Sequence, residues 1–154
     1  MTSPEVAGYG INKEKIAVGG TSAGGTLAVG IALRLRDEVG DTSAIKLLIL
    51  DDASYTDNPN SYSTSHNPVN KIWNANVTRY MWQIYLPQGS DALEPRIRGY
   101  AVPAREKDIS KLPPTLILCA QWDDLTNDAI MFAHRLLENG VPTEIHVSPA
   151  QSHM

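Results

Sequence analysis

Gly20-Thr21-Ser22-Ala23-Gly24 stands between two stretches of different texture. Before it runs Lys15-Ile16-Ala17-Val18-Gly19, a short apolar burst of strand character; after it, Gly25-Thr26-Leu27-Ala28-Val29-Gly30-Ile31-Ala32-Leu33 reads as a helix of small residues. A serine is thus pinned by glycines at a strand-to-helix turn. So tight a turn predicts strained backbone angles at the serine, and glycine positions where a side chain would collide with neighbouring backbone. It also lifts the hydroxyl off the sheet and turns the free N–H groups of the helix N-terminus towards it. By chance alone, G-x-S-x-G occurs in roughly 0.05 of chains this long; the strand before and the helix after remove most of those accidents.

A serine so placed has the features of a nucleophile elbow, which needs a base and an orienting acid on loops that follow other strands. Thr115-Leu116-Ile117-Leu118-Cys119-Ala120 is a continuous apolar run, expected as a strand buried on both faces. Gln121-Trp122-Asp123-Asp124-Leu125 follows, then a helix over Ala129 to Glu138 with Ile130, Phe132, Ala133, Leu136 and Leu137 on its apolar side. Asn139-Gly140 and Pro142 end it. The last strand is Thr143 to Ser148, and His153 stands beyond it. In a parallel sheet the loops after the strands share one rim. Ser22, Asp123 and His153 are therefore expected to converge, His153 taking the serine proton and Asp123 holding the imidazole.

Rivals exist for two of the three. Asp124 and Asp128 lie close to Asp123, although Asp128 has the position of first-turn helix charge. Asp51 and Asp52 follow the strand Leu47–Leu50 and reach the same rim. Among the four histidines, His134 falls mid-helix, His146 within a strand and His66 in a Ser/Asn-rich loop, which leaves His153 as the base.

These residues resemble the hormone-sensitive-lipase-like esterases, a family of α/β-hydrolases. The resemblance lies in Ala17-Val18-Gly19-Gly20-Thr21-Ser22-Ala23-Gly24-Gly25, Lys111-Leu112-Pro113-Pro114-Thr115-Leu116, Trp122-Asp123-Asp124-Leu125, Gly140-Val141-Pro142-Thr143-Glu144-Ile145-His146 and Ser152-His153-Met154. It implies an acyl-serine route of ester cleavage, with Ser22, Asp123 and His153 as the triad and the Ala23 N–H as one oxyanion donor. Related chemistries on the same elbow, peptidase or acyltransferase, stay open, as does a non-catalytic small-molecule binder. The family often has aspartate where Thr21 stands and proline where Asp124 stands. It also carries a His-Gly-Gly segment upstream of the elbow, and no such triplet precedes Ser22 in these 154 residues.

Four strands are countable: Lys15–Val18, Leu47–Leu50, Thr115–Cys119 and the one from Thr143. The expectation is a single partial α/β-hydrolase domain over 1–154, mostly parallel, the C-terminal part of a larger enzyme, with the elbow strand an unpaired edge. Between about 53 and 111 lies a cap-like insertion. It opens with the polar, turn-rich Asp57 to Ser65, continues in a helix from Asn74 to Tyr85, stops at Pro87, and returns to the sheet through Tyr100-Ala101-Val102-Pro103-Ala104. Val77, Tyr80, Met81, Ile84 and Tyr85, with Trp73 and Trp82 nearby, either shape an acyl pocket or only pack the helix onto the body. In the elbow helix, Gly24, Ala28 and Ala32 form a small-residue stripe beside Leu27, Ile31 and Leu35; Arg34, Arg36, Asp37 and Glu38 form a solvated end.

A net charge of −4 without a basic cluster argues against nucleic acid. No apolar run reaches membrane-spanning length. The one cysteine, Cys119, sits in a strand, so no intrachain disulfide forms and a catalytic thiol is not expected. No His, Cys and carboxylate spacing suits a metal, no phosphate loop is present, and no cofactor is expected. Asn76-Val77-Thr78 spells a glycosylation sequon inside a predicted helix, and with no secretory signal visible the default compartment is the cytoplasm. The expected partners are a small ester and either the missing N-terminal half or a second copy.

Overall fold

In the computed structural model the described residues are 9–10, 12, 14–58 and 73–153. His66, most of the polar loop before it, and Met154 lie outside them. The elements are β1 (Ile16–Thr21), α1 (Ala23–Val39), β2 (Ile45–Asp51), α2 (Ala75–Tyr85), α3 (Pro95–Ala101), β3 (Thr115–Ala120), α4 (Thr126–Glu138) and β4 (Thr143–Ser148), with single 3-10 turns at Ser90–Ala92 and Pro103–Arg105.

The four strands form one parallel sheet in the order β1-β2-β3-β4. Their C-terminal ends are in register, Thr21 opposite Asp51, Asp51 opposite Leu118, and Ala120 opposite Ser148. The loops after all four strands therefore leave from one rim.

Two of the helices, α1 and α4, cover one face of the sheet. α1 packs on β1 and β2, and α4 on β3 and β4. Their apolar sides join Leu48, Leu50, Ile117 and Cys119 in one continuous core, within which Tyr55 stacks on Phe132 at 4.5 Å. The expectation that the Thr115–Ala120 run is buried on both faces gives way to alternation: Thr115, Ile117 and Cys119 are buried, Leu116 and Leu118 half-buried. Strands covered on one side only show this period of two.

α1 corrects a second expectation. Leu27 and Ile31 are each 54% exposed, and the bulk against the sheet comes from Val29 and Leu33 beside Gly25, Ala28 and Ala32. At 100° per residue the face through 25, 29 and 33 points to the sheet, and 27 and 31 fall on the opposite side. The charges at its end also bind: Arg36 donates to the carbonyls of Asp108 and Ser110, and the Tyr100 hydroxyl donates to Asp37. α4 likewise buries Ala129, Phe132, Ala133 and Leu136 but leaves Ile130 and Leu137 exposed.

Asn74 caps α2, its Oδ1 accepting the N–H groups of Asn76 and Val77 at 3.0 and 3.3 Å. Trp82 on α2 packs with Ala101 and Val102. The segment Tyr100–Ala104 does not return to the sheet as expected. It ends α3 and opens a 3-10 turn, where Pro103 has no N–H to give a ladder and Ala104 donates to the Tyr55 carbonyl instead.

Candidate active site

Ser22 sits at φ 55° and ψ −124°, the strained turn expected from its neighbours. Its N–H donates to the Asp51 carbonyl at 2.8 Å, and its carbonyl accepts from Gly25. Thr21, at the position before it, donates from Oγ1 to the Asp51 carboxylate at 3.1 Å, a second tie between the ends of β1 and β2. At Gly20 a Cβ would come 2.4 Å from the carbonyl carbon of Gly24. A Cβ at Gly25 would come 2.5 Å from that of Ala53. Gly24, in contrast, has open space where its Cβ would be, so the crowding expected of both motif glycines holds for Gly20 alone.

The structure brings the three sequence-predicted residues together. His153 Nε2 lies 3.1 Å from Ser22 Oγ, and His153 Nδ1 lies 2.7 Å from Asp123 Oδ2. Asp123 is held in turn by the Leu125 N–H, which donates to its Oδ1 at 3.0 Å. The loop that carries His153 is stapled to the acid loop. Gln121 N–H donates to the Ser148 carbonyl, Trp122 N–H to that of Gln151, and Ala150 N–H to the Gln121 side chain. These bonds account for a histidine near the end of the sequence being only 8% exposed.

The rivals go elsewhere. His134 pairs with Glu138 and His146 with Glu144, both exposed and away from the serine. Asp124 turns towards α2, where its Oδ2 accepts from the Thr78 hydroxyl at 3.2 Å. Asp52 comes near the imidazole: one ligand atom each from Asp52, Asp123 and His153 lie within 4.8 Å of one another. That spacing could hold a cation, but both ring nitrogens of His153 are already engaged, which suits proton transfer better than ligation.

Two carboxyls are electrostatically unusual. Asp52, with φ 44°, is pushed up to about 6, first by burial and then by the neighbouring charge of Asp123, although the Ala120 N–H bound to its Oδ1 opposes this. Asp124 also rises to about 6, by burial and then Asp123, against the Thr78 hydrogen bond. His153 is raised above its ordinary value by the hydrogen bond with Asp123, against its desolvation, with Asp52 and Asp51 adding to the effect. Burial lifts the Cys119 thiol to about 11, so it is inert as a nucleophile near neutral pH.

Sequence reasoning missed one contact. Trp73 stacks on His153 with ring centroids 4.6 Å apart. Its Nε1 donates to Thr78 Oγ1 at 3.0 Å. A lone tryptophan ahead of a helix carries no periodic signal that could have revealed this. Beyond the serine opens an apolar cavity of about 510 Å³ lined by Ala23, Leu27, Trp73, Val77 and Tyr80 among others. The exposed aromatic side of α2, with Tyr80 and Ile84 more than half exposed, borders this space rather than packing on the body.

A hydroxyl, an imidazole and a carboxylate in this order can draw a proton from the oxygen and return it to a leaving group. Comparison with known proteins gives the family. Residues 3–154 match the family model of the alpha/beta hydrolase fold. An arylesterase of Saccharolobus solfataricus is 31% identical over 141 residues, covering 87% of this chain and 42% of that protein. Among solved structures, a bacterial heroin esterase superposes with a TM-score of 0.83 at 33% identity, covering 97% of this chain and 47% of that one. The esterase LipW from Mycobacterium marinum superposes equally well at 30% identity, over 97% and 45%. The chain spans about two fifths of the length of the curated relatives it matches. The elbow, the parallel sheet and these likenesses agree, and the chain belongs to the alpha/beta hydrolase fold family, among the hormone-sensitive-lipase-like esterases.

Proposed function

We propose that this chain carries the nucleophile, base and acid of a hydrolase that cleaves small to medium carboxylic esters through an acyl-serine intermediate. The observation that carries the reading is the unbroken line Ser22–His153–Asp123, at 3.1 and 2.7 Å. Ser22 Oγ attacks the acyl carbon as its proton passes to His153 Nε2. The oxyanion is met by the Ala23 N–H, at the first residue of α1, where backbone donors have no partner within the helix. His153 then gives the proton to the departing alcohol, and water, deprotonated by the same imidazole, releases the acid. The cavity beside the serine is lined by apolar and aromatic side chains, which suits an uncharged acyl or aryl group.

The Ala23 N–H is one oxyanion donor, and loss of a single such donor lowers turnover by about 10²–10³-fold. The test separates chemistry from turnover. A fluorophosphonate probe is expected to label Ser22 and to fail on Ser22→Ala, and hydrolysis of a short-chain p-nitrophenyl ester is expected to be lost in the same variant. A folded protein whose Ser22 stays unlabelled at millimolar probe would overturn the reading.

A further inference from the structure

Asp124, Thr78 and Trp73 form a hydrogen-bonded line that ends on the base. Asp124 follows the acid directly in the loop after β3, Thr78 lies on the first turn of α2, and Trp73 precedes the residue that caps α2. The Trp73 indole N–H donates to Thr78 Oγ1 at 3.0 Å, and the Thr78 hydroxyl donates onward to Asp124 Oδ2 at 3.2 Å. A face of the indole lies on the His153 ring, centroids 4.6 Å apart and planes 30° apart. Asp124 and Thr78 are 1% and 4% exposed, so the line runs through the interior, where an unmade hydrogen bond is costly.

A threonine hydroxyl that both accepts and donates leaves the indole one orientation. A tryptophan face stacked on an imidazole favours its cationic form, the form His153 takes when it accepts the serine proton.

We propose that Trp73, Thr78 and Asp124 are positioning residues that clamp the imidazole of His153 between the α2 segment and the acid loop. The inference rests on the hydrolase reading for its purpose, but the clamp itself is a property of the fold. Asp124 thereby has a task of its own beside Asp123: its carboxylate reaches α2 and anchors the indole through Thr78.

Two readouts on the 154-residue chain test it: the pH titration of the His153 ring by NMR, and the rate of Ser22 labelling by a fluorophosphonate as a function of pH. The charged groups that face His153 are Asp123 on the acid loop and Asp52 and Asp51 at the end of β2; all three stay in place throughout. Thr78→Val, which keeps the shape and loses the hydroxyl, is expected to lower the His153 midpoint by about half a pH unit and to slow labelling several-fold. Trp73→Phe, which loses the N–H and keeps only a smaller ring, moves both in the same direction by at least as much and provides the test if Thr78→Val does not fold. A His153 midpoint and labelling profile unchanged in folded Thr78→Val or Trp73→Phe overturns the clamp even if Ser22 labels normally. A shifted midpoint in a protein that never labels keeps the clamp and removes the hydrolase reading.

Discussion

Asp123 and Asp124 are adjacent in sequence and both buried, yet they serve different neighbours. Asp123 faces the His153 ring at 2.7 Å, and Asp124 faces Thr78 at 3.2 Å. Asp52, the other rival for the acid, receives the Ala120 N–H and makes no hydrogen bond with the imidazole among those described. Contact decides between them, because orienting a tautomer requires a hydrogen bond to Nδ1. On the proposed mechanism, Asp123→Asn is expected to slow fluorophosphonate labelling of Ser22 by about 10⁴-fold. Asp52→Asn should cost less than about tenfold, since it removes only a neighbouring charge. Equal losses in the two variants, read from labelling rates at pH 7.5, would move the acid's role to the pair.

At the scale of elements, the rim of the sheet does the gathering, and α2 supplies what the sheet lacks. The register that aligns Thr21 with Asp51, Asp51 with Leu118 and Ala120 with Ser148 brings three loops together whatever their lengths in sequence. α2 has little buried surface of its own, with Thr78 and Trp82 its buried residues, so its end condition matters. Asn74→Ala removes the acceptor for two N–H groups and is expected to lower unfolding stability by about 0.5–2 kcal/mol, measured by urea denaturation. The extended cap lies beside Trp73, so the same substitution should raise hydrogen exchange across α2 before it affects β3 or α4. Much of this level was legible in advance: the elbow, the helix after it, the positions of the four strands and the bounds of α2 follow from periodicity and turn residues. The faces of α1 and α4 were read less well. Leu27, Ile31, Ile130 and Leu137 are apolar without being inward, because the side of each helix that meets the sheet is set by packing and not by apolar spacing alone.

For the whole molecule, the buried charges set how stability follows pH. Asp52 and Asp124 hold their protons up to about 6 in the fold, against 3.8 as ordinary carboxyls. Folding is therefore favoured with these groups protonated, and that advantage fades as pH rises from about 4 through 6. His153 is raised above 6.5, so its contribution is full below that value and is lost as pH climbs through its folded value. All three slopes have one sign, and Tm is expected to rise as pH is lowered from 8 to 5. Below 4 the trend reverses. Asp57, where burial is outweighed by hydrogen bonds from Arg105 and Ser90, and Asp108, held down by Ser110, must then take up protons they resist. A Tm that is flat or falling from pH 8 to 5 contradicts this account, and Asp52→Asn with Asp124→Asn should flatten the slope. No helix among the described residues is long and apolar enough to cross a membrane.

The chain's local chemistry was enough to establish where the four strands and the three longer helices run, that Ser22 occupies a strained turn, and which loops follow the strands. Those features depend on neighbours a few residues apart, where steric limits and apolar spacing act directly. Only the folded arrangement could decide that Asp123 rather than Asp52 or Asp124 meets His153, that one face of the sheet carries α1 and α4, and that Trp73 lies against the imidazole. Each of those outcomes joins distant segments, Ser22 and His153 being 131 positions apart. Strand register and the direction in which each side chain leaves its loop select such partners, and neither is written in the order of the letters alone.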